Sequence, residues 1–146
     1  MSTTGQPGFD RTIQETNTWL NEISDALGDP RRPVAYHALR GTLFALRDRL
    51  PVEEVFDLAA QFPMLLRGLF FEGYRPKNKP EKYHREEFLG RVRDELEQAG
   101  GANVEEAVRA VFRTLEQHVG DGEVRDVREA LPEDLRALWP AAGQPS

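Results

Sequence analysis

The chain is internally duplicated, and this feature constrains its fold more than any single motif. Residues 35–70 and 107–139 follow one pattern, with an offset of 72 that becomes 69 after the second copy contracts by three residues. The matched pairs are Ala35/Ala107, Ala38/Ala110, Thr42/Thr114, Leu43/Leu115, Glu54/Glu123, Val55/Val124, Asp57/Asp126, Pro63/Pro132, Leu66/Leu135, Arg67/Arg136 and Leu69/Leu138. Because a repeated unit of this size buries its apolar face poorly alone, it is expected to pack against its copy. The duplication therefore predicts two similar halves related by a pseudo-twofold axis.

The periodicity of apolar residues predicts helices throughout. Apolar side chains return at intervals of three and four, and no segment shows the alternation of a strand. The expected helices cover residues 9–27, 32–49, 52–61 and 63–72 in the first half and 81–98, 104–119, 122–130 and 132–139 in the second. Gly28 is placed to end the first helix, and Pro63 and Pro132 each to begin one. The predicted fold class is all-α, with about eight helices as two four-helix repeats in one bundle-like domain.

The length of 146 residues suits one domain, which would bury about 68–70% of the surface of its unfolded chain. We expect this domain to span residues 9–140, with disordered tails at residues 1–8 and 141–146. Within it, repeat one covers residues 9–73 and repeat two covers residues 81–140. The polar, proline-rich stretch between them, residues 73–80, is expected to be a crossover connection.

Composition excludes several classes of function. The chain has no cysteine, so disulfides, thiol catalysis and thiolate metal sites are excluded, which fits a reducing cytoplasm. A net charge of −6 disfavours nucleic acid and anionic membranes as partners. The most apolar stretch, residues 64–71, is far shorter than the roughly 20 residues that cross a bilayer. Glu81 and His84 have the spacing of half a di-iron site, but the matched positions lack the second half. We therefore predict no catalytic residues, metal or cofactor.

Two acid–base pairs recur in both halves. Asp57 precedes Arg67 by ten residues, and Asp126 precedes Arg136 by the same interval. A carboxylate on the third helix of each half can meet a guanidinium on the fourth and fix the angle between them. The pattern predicts two structural ion pairs, each within hydrogen-bonding distance.

A run of aromatic and basic residues around the crossover has no counterpart in the second half. Its members are Phe70, Phe71, Tyr74, Arg75, Lys77, Lys79, Lys82, Tyr83, His84 and Arg85. Exposed aromatic side chains next to arginine are typical of protein interfaces, and aromatic residues among cations can also bind a base or a phosphate. A third interpretation is a solvated connection whose aromatic rings cover the core.

Several segments together carry a family resemblance. They are the opening Phe9–Leu20 (FDRTIQETNTWL), Ala38–Arg40 with Leu46–Pro51 (LRDRLP), Gln61–Pro76 (QFPMLLRGLFFEGYRP) and Leu131–Trp139 (LPEDLRALW). Over about residues 9–140 the chain resembles the prokaryotic family catalogued as domain of unknown function 2267. The resemblance implies a small all-helical domain and brings no established activity, cofactor or catalytic residue.

Three hypotheses about function remain open. The first is a non-enzymatic interaction or scaffold module, in which Phe70, Phe71, Tyr74 and Arg75 engage a protein partner or a second copy. The alternative is a binder of a small anionic ligand or nucleic acid through residues 70–85, with Lys77 and Lys79 as contacts. An enzyme is the third, and it would need a pocket of converging ionisable groups.

Overall fold

The computed structural model describes residues 3–141, and within that range the protein consists of eight helices without a β-strand. The helices are α1 (Pro7–Leu27), α2 (Arg32–Arg49), α3 (Val52–Ala59), α4 (Met64–Phe71), α5 (Arg85–Glu97), α6 (Val104–His118), α7 (Asp121–Ala130) and α8 (Glu133–Arg136). The all-α prediction is confirmed. None of these helices is long and apolar enough to cross a bilayer.

Local signals in the sequence account for the ends of α1. Pro7 occupies a first-turn position, where its missing N–H is not needed, so the helix begins inside the expected N-terminal tail. Before it, the backbone N–H groups of Thr3 and Thr4 donate to the Asp10 carboxylate. Gly28 ends the helix with a φ of 66°, a left-handed conformation that glycine adopts without strain. Residues 1–2 and 142–146 of the expected tails lie outside the described residues.

The crossover delays the start of α5 by four residues relative to the prediction. The Glu81 N–H donates to the Asp48 carbonyl oxygen at 2.8 Å, which holds the chain extended along α2. Arg49 Nε donates to the Tyr83 carbonyl oxygen at 2.7 Å, and the Tyr83 hydroxyl donates to the Ala45 carbonyl oxygen. The helix therefore begins only at Arg85, after these tertiary hydrogen bonds end.

One continuous hydrophobic core joins the two halves. Helix α2 packs most extensively against α5, and α1 packs against both α2 and α6. The rings of Trp19, Phe88 and Phe112 are fully buried in this core. Phe112 stacks on Trp139 with ring centroids 4.1 Å apart, so the end of the second half closes over α6.

Most of the main helix contacts fall into the pairs that a pseudo-twofold axis would exchange, whereas α1–α4, α2–α4 and α6–α7 have no counterpart of similar extent among the described residues. Contact α2–α5 matches α6–α1, and α1–α2 matches α5–α6, while α2–α6 and α3–α7 match themselves. These pairs are what two packed repeats would require. The duplication itself stays a prediction, which superposing the two halves would test.

Candidate functional site

A large surface cavity lies between α1, α2 and α4, and we call it the α1–α4 groove. Its volume is about 820 Å³, and nearly all of its walls are apolar. Helix α1 contributes Phe9, Ile13 and Leu20, while Met64 and Leu65 come from α4. Leu39 of α2 and Leu66 of α4 also line the groove, and both are buried.

The groove collects most of the exposed large hydrophobic side chains of the part of the chain that the structure describes. Leu65 is 49% exposed, Met64 48%, Phe9 55% and Tyr36 38%, and all four line it. Among the described residues only one other large hydrophobic side chain is comparably exposed, Phe56 at 57%, and it lies outside the groove. Single exposed apolar residues are normal, but a contiguous set in a concavity marks an interaction surface.

Few polar groups interrupt this lining. Thr12 accepts a hydrogen bond from the Leu65 N–H at 2.8 Å, which joins α1 to the first turn of α4. Asn17 accepts from Arg32 at 2.6 Å. Glu72 is the only lining residue with a charged side chain, and its carboxylate makes no hydrogen bond or ion pair with any residue in the described range. A molecule bound in the groove would therefore bury its apolar groups against these side chains and have one carboxylate, that of Glu72, beside it.

The groove arises because α4 is apolar around most of its circumference. Leu66 and Phe70, four residues apart, point into the core, where they are 1% and 0% exposed. Met64, Leu65 and Gly68 lie on the opposite side of the same helix and remain exposed. The sequence analysis did not single out Met64 or Leu65 as exposed, and it missed this surface. The available signal was the consecutive run Met64–Leu66, which spans about 200° and is too wide for one buried stripe.

The second half carries polar or small residues at the positions that match Met64, Leu65 and Gly68. At the offset of 69, Met64 corresponds to Glu133 and Leu65 to Asp134. In the structure the Asp134 carboxylate accepts a hydrogen bond from the Arg85 N–H at 3.2 Å. An apolar side chain could not make this bond. Gly68 corresponds to Ala137, so neither apolar residues nor glycine are required at these positions of the helix pair.

The aromatic corner predicted from the sequence is largely part of the core. Phe70 is fully buried against Phe62, with ring centroids 5.1 Å apart, so it is not exposed to a partner. Phe71 and Tyr74 are half-buried and pack against the core. The Tyr74 ring also lies 5.6 Å from the Arg47 guanidinium. Burial of these rings follows from their large apolar area, which outweighs their place beside a polar crossover.

The basic side chains of the crossover divide into paired and unpaired groups. Lys79 contacts Glu81 at 2.8 Å and Asp48 at 4.0 Å, and its side chain is only 10% exposed. This ion pair lowers the pKa of Glu81. Arg75 and Lys77 are exposed and make no ion pair within residues 3–141. Lys79 is therefore neutralised locally, whereas Arg75, Lys77 and Lys82 are exposed and present their charge to solvent.

The two repeated arginines do not form the predicted ion pairs. Arg67 donates to the carbonyl oxygens of Ala59 at 3.3 Å and Phe62 at 3.1 Å. No ion pair within 4.0 Å joins it to Asp57 in the described part of the chain.

The second half uses its arginine in the same way. Arg136 donates to the carbonyl oxygens of Arg128 at 3.0 Å and Leu131 at 2.9 Å, again eight and five residues earlier, and it does not pair with Asp126. Carbonyl groups at the end of a helix lack a hydrogen-bond donor within the helix, and these arginines provide that donor. In both halves the partners of the recurring arginine are backbone oxygens and not the predicted aspartate.

Asp126 instead joins a cluster of carboxylates where α3 meets α7. Carboxylate oxygens of Glu54, Glu123 and Asp126 lie within 4.8 Å of one another. Burial, followed by the hydrogen bond and charge of Glu54, raises the pKa of Glu123 to about 8, and Asp57 adds to this effect. Oxygen ligands of this kind can hold a divalent cation. A proton on Glu123, hydrogen-bonded to Glu54, would also relieve the repulsion between the carboxylates, and no cation would then be needed.

Comparison with known proteins identifies a family but no characterised relative. A family model described as "Uncharacterized conserved protein (DUF2267)" matches residues 16–138. No curated protein matches the chain.

Proposed function

The chain belongs to the DUF2267 family, and we propose that it is a protein-interaction module whose α1–α4 groove receives an apolar helical face of a partner. The observation that carries this proposal is the concentration of exposed apolar side chains. Within residues 3–141, four of the five large hydrophobic side chains that are substantially exposed line this one groove. An amphipathic helix laid into an apolar groove is a recurrent mode of protein recognition.

The second half supports a role for these side chains outside folding. Glu133 and Asp134 occupy the positions that match Met64 and Leu65, at the start of a helix in both halves. Acidic residues there interact favourably with the helix dipole, whereas exposed apolar residues gain nothing from water. The apolar pair is thus explained by a surface that becomes buried on association.

The groove also has the dimensions of a helix site. Its lining residues on α1 run from Phe9 to Leu20, which corresponds to about 16 Å along a helix. A partner helix of about three turns would cover this length. The volume of about 820 Å³ accommodates several aliphatic side chains from one face of such a helix.

The test transfers residues from the second half into the first. A variant carrying Met64→Glu and Leu65→Asp should fold with unchanged stability, because both side chains are exposed and their replacements suit the first turn of a helix. The probe is a labelled amphipathic peptide of about 16 residues with leucines on one face. Fluorescence anisotropy should show at least ~10-fold weaker binding to the variant, since each lost apolar contact contributes about 1.5–3 kcal/mol.

Phe56→Arg provides the matched control. It removes an exposed ring outside the groove and introduces the residue found at the matching position, Arg125. This variant should bind the peptide as the wild type does. Equal binding by the wild type and the Met64/Leu65 variant, or no binding by the wild type, would contradict the proposal.

A further inference from the structure

We infer that the groove's occupant is a basic amphipathic helix of another protein, which crosses α4 at Gly68 and places a Lys or Arg beside Glu72; this inference rests on the proposed function. Gly68 and Glu72 both line the groove and lie four residues apart, about 6 Å along the helix direction. Each is a residue that the fold itself disfavours. Their joint placement on the recognition surface is the observation that identifies the partner.

Gly68 has no reason within the protein to lack a side chain. It is the fifth residue of the eight-residue helix α4, where glycine is less favourable than alanine. A Cβ atom built there meets nothing within 4 Å, and its φ is not in the left-handed region. The matching position in the second half is Ala137. Glycine at this point keeps the centre of the groove open, so that a partner helix can approach the backbone of α4 closely.

Glu72 is similarly unexplained by the protein's own contacts. It directly follows the last residue of α4, where the helix dipole disfavours a negative charge. The nearby Arg47 donates to the carbonyl oxygens of Phe70 and Glu72, and its guanidinium is not within ion-pair distance of the Glu72 carboxylate. The matching residue in the second half is the uncharged Ala141. A cation on the partner would complement this carboxylate.

Charge also favours a different protein over a second copy as the occupant. The chain carries a net charge of −6, so two copies repel each other at low ionic strength. A basic helix is attracted to the same surface, and its Lys or Arg would lie at the edge of an otherwise apolar contact. Charges so placed set specificity and the rate of association.

The test uses three labelled helical peptides with the same leucine face and with Lys, Gln or Glu at the flanking positions. The wild type should bind the Lys peptide most tightly and the Glu peptide least, with a difference of about 3–10-fold that shrinks in high salt. Glu72→Gln should reduce this preference by more than its change in net charge accounts for. Glu53→Gln, which removes an exposed carboxylate from α3 outside the groove, should retain it.

Gly68→Ala separates recognition from stability. The added methyl group should raise the melting temperature by about 2–4 °C and weaken binding of the Lys peptide by about 10-fold. Gly90→Ala is the control, because Gly90 also lies inside a helix with open space around its Cβ position but outside the groove. It should raise the melting temperature without changing peptide affinity.

The outcomes distinguish the two proposals. Equal affinity for the three peptides, or unaltered binding by Gly68→Ala, would overturn the basic helix and its crossing point while leaving an apolar groove that binds helices. Failure of every peptide to bind the wild type would overturn the proposed function as well. Sedimentation that shows a wild-type dimer dissociated by Leu65→Asp would place a second copy in the groove and overturn the heterologous partner.

Discussion

A Cβ atom on Gly41 would lie 2.9 Å from the Cβ of Glu95, because α2 and α5 cross in close contact at this point. The Val92 Cα would be 3.4 Å away, so the α5 backbone limits any adjustment. Gly41 is fully buried, and the same Glu95 contacts His37 Nδ1 through its carboxylate at 2.5 Å. The glycine therefore sets the separation of the two helices that pack most extensively.

Gly41→Ala should destabilise the protein by about 1–3 kcal/mol, the usual range for overpacking a close contact. The reason is steric, because neither the Glu95 Cβ nor the α5 backbone can move independently of the helix. Urea unfolding would measure the change. Gly90→Ala, with open space around its Cβ position, should instead be neutral or stabilising by up to about 1 kcal/mol. Similar effects at the two positions would show that the crossing is not constrained by contact.

Arg67→Lys and Arg136→Lys should each destabilise the protein by about 1–3 kcal/mol, because lysine cannot donate to both carbonyl oxygens with the geometry of a guanidinium. The two effects should be similar, since both arginines bond to carbonyl groups eight and five residues earlier. Denaturant unfolding provides the measurement. Arg93→Lys is the control, because Arg93 is exposed and makes no hydrogen bond or ion pair with residues 3–141. Loss of stability on Asp57→Asn equal to that on Arg67→Lys would favour an ion pair after all.

The wild type should lose stability as the pH rises towards about 8, and Glu123→Gln should not show the part of this loss that comes from Glu123. The pKa of Glu123 is raised by burial, and next by Glu54, to about 8, whereas an unfolded glutamate titrates near 4.3. Between these values the folded state binds more protons than the unfolded state, so the free energy of unfolding falls as the pH rises through this interval. Above this pH interval Glu123 is ionised in the folded wild type, and the repulsion from the neighbouring carboxylates lowers the free energy of unfolding by its full amount.

Urea midpoints at pH 5 and pH 9 would test this prediction. The wild type should lose more stability between the two conditions than Glu123→Gln does. Glu129→Gln, on an exposed part of the same helix, should behave as the wild type. A wild type and Glu123→Gln with parallel pH profiles would mean that Glu123 is not titrating in this interval.

Tyr83→Phe should loosen the crossover and cost about 0.5–1.5 kcal/mol, because the buried hydroxyl donates to the Ala45 carbonyl oxygen. Amide hydrogen exchange at Glu81, whose N–H bonds to Asp48, should accelerate in parallel. The control is Tyr36→Phe, since the Tyr36 hydroxyl makes no hydrogen bond within residues 3–141. Unchanged exchange at Glu81 would show that the other contacts hold the crossover alone.

Local signals explain why the helices were predictable and the crossover was not. Predicted bounds for α2 coincide with the observed Arg32–Arg49, and Gly28 ends α1 as expected. Helix α5 begins four residues late because tertiary hydrogen bonds from α2 extend the chain through Tyr83. Such bonds join segments more than thirty residues apart, which no local pattern reports.

The groove shows the same distinction at the level of side chains. On α4, Phe70 and Met64 are both apolar, yet one is 0% and the other 48% exposed. Helical periodicity reveals a wide apolar arc but not which part of the arc the neighbouring helices cover. That depends on how α1 crosses α4, which the Leu65 N–H fixes by donating to Thr12.

The amino-acid sequence by itself determined the all-helical class, most helix ends and the recurrence of Arg67 and Arg136, because these depend on the 3.6-residue period, on backbone preferences and on matched residues. Only the tertiary structure decided the partners of those arginines and the exposure of Met64 and Leu65. Burial and hydrogen bonding are properties of pairs of elements, so the residues that form the groove become recognisable only when α1, α2 and α4 are packed together.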